Sequence, residues 1–380
     1  MKIGDYSTMH NKQKILVTSP TLPPLEDFIG CVKEIYQSKW LTNNGRFHQA
    51  FEKALCEFAG MSCCSLFCNG TIALEALLSV TGLKGEVITT PFTFAATATA
   101  IVRCGLKPVF VDIDPLTLNL DPAKAEEAIT ENTAAILPVH VYGNPCQTQA
   151  LEKLADKYNL SLIYDAAHAF GVEQNGESIL KAGSASMVSF HATKVFSSIE
   201  GGAIFTEDPE LKRKLDLYKN FGISGQASVE LIGTNGKMNE FQAAFGLLSL
   251  EHLQDNIEKR QILAEKYRSL LKNVQGISLM PEMPGVKHNY AYFPILVDKE
   301  KFGKSRDELY EKLKESNIYA RKYFYPLITD FAPYKDSSIC RSEDLPAAKK
   351  AAEKVLCLPV HTELNERDIE MICEAVYWNY

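Results

Sequence analysis

Met187-Val188-Ser189-Phe190 runs into His191-Ala192-Thr193-Lys194, and the stretch closes on Glu200-Gly201-Gly202-Ala203. The first four residues read as a buried strand. The next four place one lysine, beside a hydroxyl and small residues, at that strand's end. A lysine that condenses with an aldehyde needs a partly neutral amine, and a confined site supplies one by lowering its basicity. Taken alone, the same residues also read as a solvated loop lysine next to Gly-Gly. The rest of the chain has to decide between the two.

Working outward, residues 65–206 alternate short apolar runs with helical stretches. The strand-like runs are Ser65-Leu66-Phe67, Glu86-Val87-Ile88-Thr89, Pro108-Val109-Phe110-Val111, Ala135-Ile136-Leu137-Pro138-Val139, Leu162-Ile163-Tyr164, Met187 to Phe190 and Ala203-Ile204-Phe205. Most are apolar at both alternating positions, as strands covered on both faces by helices must be. Between them, Leu151, Leu154, Ala155 and Tyr158 share one helical face. The pattern predicts an α/β domain with a mostly parallel sheet. Ligands of such sheets gather beyond the carboxyl ends of the strands. Asp165, Lys194 and Gly70-Thr71 all follow strand-like runs, so chain order alone puts them on one rim. A long helix is expected from Met238 to about Lys272. Beyond it come a strand at Ala291 to Val297 and helices at Arg306 to Glu315 and Glu366 to Val376. This predicts a large domain over 15–255 and a smaller C-terminal α+β domain over 256–380.

Composition narrows the function. The chain has 380 residues, 46% apolar and 23% charged, which suits a globular protein with a large core. Its formal charge of −7 and lack of a long basic run argue against nucleic acid as a partner. Met1 to Lys14 lack an apolar signal-like run and no stretch is long enough to span a membrane, so a cytoplasmic location is expected. The ten cysteines include the close group Cys63, Cys64 and Cys68, but no second cluster answers it, so reduced thiols are expected and no metal.

Three further pieces carry chemistry. Cys68-Asn69-Gly70-Thr71 opens a helix whose free N–H groups suit a phosphate, with Gly70 allowing close backbone approach; the plainer reading is a helix cap at Thr71. There is no Gly-x-Gly-x-x-Gly, and Gly233 to Lys237 runs into Met238, so no nucleotide-cradling loop supplies the phosphate site. Asp165-Ala166-Ala167-His168 sets an acid at a strand end among alanines. A buried carboxylate there needs a cationic or hydrogen-bonding partner, which a protonated pyridine nitrogen would provide; a simple helix-capping role is the alternative. Phe94, in Pro91-Phe92-Thr93-Phe94, offers a face to a flat ring or packs in the core.

Gly70-Thr71, Phe94, Asp165, Ser189 and Lys194 in this order resemble pyridoxal-phosphate enzymes of the aspartate-aminotransferase fold (fold type I). More closely, the chain is similar to the sugar aminotransferases of the DegT/DnrJ/EryC1/StrS family. The likeness spans nearly the whole chain. It includes Asn69 to Leu74, Thr93 to Thr97, Pro138 to Gly143, Asp165 to Gly171, the Lys194 stretch, Asn235 to Glu240 and Leu358-Pro359. It implies that Lys194 is the Schiff-base lysine and proton carrier, that Asp165 pairs with the pyridine nitrogen, that Phe94 stacks on the ring and that His168 lies near the ring oxygen. Gly70, Thr71 and Ser189 would hold the phosphate. Asn235 would reach the phosphate of a neighbouring subunit, which implies a homodimer with shared sites. The implied reaction moves the amino group of L-glutamate onto a keto-hexose linked to a nucleotide.

Lys39 to Gly45 and Phe190 to Phe196 further resemble a subgroup acting on thymidine-diphosphate 6-deoxyhexoses, in which VioA-type 4-aminotransferases and FdtB-type 3-aminotransferases share these motifs. The 4-keto substrate is the reading adopted, with 3-amination as the alternative; Trp40, Thr42 and Asn43 either border the site or serve core packing and a turn, and His191 either contacts substrate or fills the strand end. A lysine at 194, where dehydratase relatives carry histidine, favours amino transfer. Leu327-Ile328 after Tyr323-Phe324-Tyr325-Pro326 departs from relatives that carry a histidine there. A lyase or aldolase on the same fold, and a non-catalytic coenzyme-binding regulator, are the remaining alternatives. The expected product belongs to surface-polysaccharide synthesis, such as O-antigen and lipopolysaccharide.

Overall fold

Eight strands form the central sheet: β1 (Cys63–Phe67), β2 (Glu86–Thr89), β3 (Lys107–Phe110), β4 (Thr133–Ile136), β5 (Ser161–Asp165), β6 (Ala185–Ser189), β7 (Gly202–Thr206) and β8 (Arg341–Ser342). They run in the order β8-β3-β2-β4-β5-β6-β7-β1. All neighbours are parallel except β7, which is antiparallel to both β6 and β1. The computed structural model describes residues 14–377.

The strands are apolar on both faces because both faces are covered. Val87 and Ile163 pack on one side with Leu74, Leu77 and Ile101 of helices Gly70–Val80 and Ala95–Arg103. Their chain neighbours Ile88 and Tyr164 point the opposite way, onto Leu151, Leu154 and Ala155 of helix Thr148–Tyr158. Tyr158, expected on that face, instead ends the helix 38% exposed, and its hydroxyl donates to Glu126. The run Ala135 to Val139 stops being a regular strand at Ile136, since Pro138 has no N–H to give a ladder. Val139 keeps only an isolated bridge to Asp165.

The expected single helix from Met238 to Lys272 is two helices, Glu240–Glu251 and Leu253–Leu271, separated at His252 (φ −104°, ψ 1°). Asn239 caps the first in a capping box with Gln242. The C-terminal part holds a three-stranded antiparallel sheet of Ile277–Leu279, Phe293–Val297 and Val355–Leu358. Helices Leu253–Leu271, Arg306–Glu315 and Glu366–Tyr377 bury Tyr267, Leu309, Leu313, Ile369 and Ile372 in one apolar cluster with it. Two pairings tie distant parts of the chain together: β8 with β3, and Ile15–Leu16 with Ile318–Tyr319. Among the described residues no helix is long and apolar enough to cross a membrane.

Candidate active site

β5 ends at Asp165, β6 ends at Ser189, and β1 leads through Cys68 and Asn69 into helix Gly70–Val80. These ends open on a cavity of about 300 Å³ whose wall includes Gly70, Thr71, Phe94, Asp165, His168, Ser189 and Lys194. Seven of the eight residues singled out from sequence therefore meet. Asn235 is exposed and is not on this wall. Trp40, Thr42 and Asn43 are also absent from it, whereas His191 is part of it. The loop of Trp40 is fastened elsewhere: its indole N–H donates to Asn43 O (2.9 Å), and buried Glu240 accepts from the Phe47 and His48 amides just beyond.

One end of the cavity is a cradle of backbone. Asn69, not Thr71, is the helix cap: its Oδ1 accepts from the Ile72 amide at 2.9 Å. That leaves the amides of Gly70 and Thr71 in the first turn, where helix geometry gives them no intrahelical acceptor. The cradle is tight. A Cβ on Gly70 would sit 3.1 Å from Ser189 Cβ and 3.2 Å from Met187 Sδ. A Cβ on Gly202 would sit 2.6 Å from Gly70 Cα, which explains the second glycine of Glu200-Gly201-Gly202. Positive helix end, open amides and the Ser189 hydroxyl suit a phosphate.

The middle of the cavity holds the acid and the amine. Asp165 is buried; Oδ1 accepts from the Ala167 amide (3.1 Å) and Oδ2 from the Thr97 hydroxyl (2.8 Å). Burial pushes its carboxyl up, while Thr97, Ala167 and the charge of Lys194 oppose that. Lys194 is held in a turn by its backbone N–H, which donates to the His191 carbonyl (2.9 Å). Burial pushes its amine down to about 8, with Asp165 and Tyr323 acting in the other direction. His168 Nδ1 accepts from the Tyr142 amide (3.2 Å), so the imidazole proton sits on Nε2. Burial, then the charge of Lys194, hold His168 neutral. Phe94 is 63% exposed at the start of helix Ala95–Arg103 and so is not core; its ring lines the cavity.

Tyr292, Tyr323 and Phe324 close the cavity from the C-terminal part; Tyr323 and Phe324 belong to the Tyr-Phe-Tyr-Pro loop, whereas nothing in the local sequence marks Tyr292. Phe324 stacks parallel to His168 (ring centroids 5.9 Å apart, planes at 4°), and the Lys194 amine lies 6.0 Å from the Tyr292 ring centroid. Asn289 secures this closure by donating to the carbonyls of His168 (2.8 Å) and Phe170 (2.9 Å). The residue signal for Thr97 was present in Thr93-Phe94-Ala95-Ala96-Thr97; its link to Asp165 was not.

A phosphate cradle, a buried acid flanked by two donors and an amine of lowered basicity on one sheet edge define an enzyme of the aspartate-aminotransferase fold, fold type I of the pyridoxal-phosphate enzymes. The chain belongs to the DegT/DnrJ/EryC1/StrS aminotransferase family, whose profile matches residues 25–377. It is 53% identical over 366 residues to a dTDP-4-amino-4,6-dideoxy-D-glucose transaminase of Shigella dysenteriae, covering 96% of this chain and 99% of that protein. It is 47% identical over 371 residues to a protein of the same name from Escherichia coli, with 96% and 99% covered. Its structure superposes on that of DesI, determined in the presence of its TDP-sugar product, with a TM-score of 0.92 at 34% identity, covering 96% of this chain and 93% of that one.

Proposed function

We propose that this aminotransferase uses pyridoxal 5'-phosphate to move the amino group of L-glutamate onto dTDP-4-keto-6-deoxy-D-glucose, giving dTDP-4-amino-4,6-dideoxy-D-glucose and 2-oxoglutarate. The observation that carries the reading is the placement of Lys194 and Asp165 across one cavity from the Gly70-Thr71 cradle. The two relatives named for this product support the sugar and the carbon.

The residues fit the coenzyme's chemistry. When bound, pyridoxal phosphate supplies an aldehyde for an amine to bond and a protonated ring that accepts the electrons of a breaking C–H bond. Gly70, Thr71 and Ser189 would hold its phosphate, and an ionised Asp165 would hold a proton on the ring nitrogen. Phe94 would cover the ring, and the Nε2–H of His168 would be available to donate to the ring oxygen. Lys194, whose amine burial brings down to about 8, would supply the nucleophile for the coenzyme's aldehyde and the base that moves a proton at the reacting carbons. Confinement by Tyr292, Tyr323 and Phe324 excludes water from that transfer.

The same reading includes a cytoplasmic homodimer serving surface-polysaccharide synthesis, with Asn235 reaching the partner's phosphate site. The exposed position of Asn235, away from its own cavity, supports this. It also treats residues 15–255 and 256–380 as two domains, supported by the separate apolar cluster around Tyr267, Leu309 and Ile369.

The test is incubation with ¹⁵N-glutamate and a panel of 3-keto and 4-keto nucleotide hexoses, with mass spectrometry and NMR locating the nitrogen. Label at C4 of the dTDP sugar is expected; label at C3 would reassign the carbon, and no transfer to any sugar would overturn the reading. Mixed dimers of Lys194→Ala and Asn235→Ala, each inactive alone, should regain up to about a quarter of wild-type activity in statistical mixtures if the site is shared.

A further inference from the structure

We propose that Thr97 is a positioning residue for Asp165 and that Thr93 acts through it, the two hydroxyls forming a relay that keeps the carboxylate ionised and aimed at the bound ring. This rests on the function proposed above and assigns roles to residues that reading does not use.

The relay is visible in three distances. Thr97 Oγ1 lies 2.8 Å from Asp165 Oδ2, Thr93 Oγ1 lies 2.9 Å from Thr97 Oγ1, and the Ala167 amide lies 3.1 Å from Asp165 Oδ1. All three side chains are buried, at 0% exposure for Thr97, 3% for Thr93 and 4% for Asp165. Chemistry fixes the direction of the protons. An ionised carboxylate only accepts, so the single proton of Thr97 must point at Asp165. The Thr97 oxygen is then free to accept, and the Thr93 hydroxyl is the donor that faces it. Each bond polarises the next toward the acid.

The relay answers a physical problem. A buried carboxyl with no donors takes up a proton and stays neutral. A neutral acid cannot hold the proton on a ring nitrogen, and the ring would then draw electrons poorly. Thr97 and Ala167 each occupy one carboxylate oxygen, which also fixes the plane of the group. The helix makes this possible: Thr93 and Thr97 are four residues apart across the cap at Phe94, so both hydroxyls share one face.

The test uses pyridoxal phosphate itself, with equilibrium dialysis for affinity and a pH titration of the visible coenzyme absorbance. Thr97→Val keeps the branched shape and removes the hydroxyl; Thr97→Ser keeps the hydroxyl. Thr97→Val is expected to weaken coenzyme binding about tenfold or more. It should also shift the absorbance midpoint to higher pH, because a ring with less positive charge leaves the attached imine nitrogen more basic. Thr97→Ser is expected to restore both values, and Thr93→Val to move both in the same direction by roughly two- to threefold. A Thr97→Val protein with wild-type midpoint and affinity overturns the relay. Should Thr97→Val fail to fold by circular dichroism, Thr93→Val decides, and an unmoved midpoint there overturns it. A midpoint that responds to Asp165→Asn but to neither threonine variant leaves the proposed function standing and discards the relay. A wild-type chain with no visible coenzyme band overturns both.

Discussion

Lys219 and Lys194 are both removed from bulk water, in opposite company. Lys219 is 3% exposed and its Nζ is ringed by acceptors: Asp216 Oδ1 at 2.7 Å, Ser65 Oγ at 3.1 Å and Glu52 Oε1 at 3.4 Å. Lys212 joins the same acids, at 2.6 Å from Asp216 and 3.4 Å from Glu52. Lys194 forms no ion pair among the described residues; it has the Tyr292 ring and the more distant Asp165 and Tyr323. A paired amine ties elements together through its ion contacts. An unpaired one gives up part of its proton affinity and becomes a reagent. Neighbours, not burial, separate a structural lysine from a reactive one.

The largest break in that comparison is Lys194→Ala. Turnover should fall by about 10⁴-fold or more and the visible coenzyme band should vanish, while the apo chain melts no earlier than wild type. Retained amino transfer would sink the assignment. Lys219→Met should do the reverse. It leaves the acids around it short of a cation, so stability in urea should drop by about 2 kcal/mol, a buried-pair cost reduced because Asp216 is partly exposed and Lys212 remains. Its activity per folded molecule should match wild type.

The third break is in pH. Neutral amine attacks the aldehyde, so capture of pyridoxal phosphate by the apo chain should rise about tenfold per pH unit and level off above the Lys194 value. That value is about 8. The same depression has a stability sign. The folded apo chain disfavours the charged amine, so the penalty is complete below about 8 and is relieved as pH climbs toward the ordinary lysine value near ~10.4. Lys194→Met should flatten that rise. The smallest effect is Glu52→Gln, which keeps an acceptor for the Leu66 amide and loses two ion contacts of 3.4 Å. About 1 kcal/mol or less is expected, and a larger loss would move the anchor of the Lys219 cluster from Asp216 to Glu52.

What was legible in the sequence followed from chain order. A mostly parallel sheet sends its strand ends to one rim, so Gly70, Asp165, Ser189 and Lys194 had to meet once the alternation was seen. What stayed hidden depended on contacts between distant residues. Tyr292, Tyr323 and Phe324 reach the cavity only through the packing of the C-terminal part, which local periodicity does not encode. The break at His252 was hidden because no Gly or Pro interrupts the apolar spacing of Leu250 and Leu253. Asn69, not Thr71, is the cap because residues of either type two positions apart can each cap a helix, and local sequence does not rank them. Pro138 did carry a usable signal: a residue without an N–H cannot prolong the ladder of Ala135 and Ile136.

The pairing of Arg341–Ser342 with Lys107–Phe110 bears on how the molecule is born. While the polypeptide emerges from the ribosome, the outer flank of β3 stays bare until Arg341 has been synthesised, and Tyr323 and Phe324 arrive only shortly before. An open strand edge invites wrong partners. Completion of the sheet and closure of the cavity thus wait until Phe324 and Arg341 have been made.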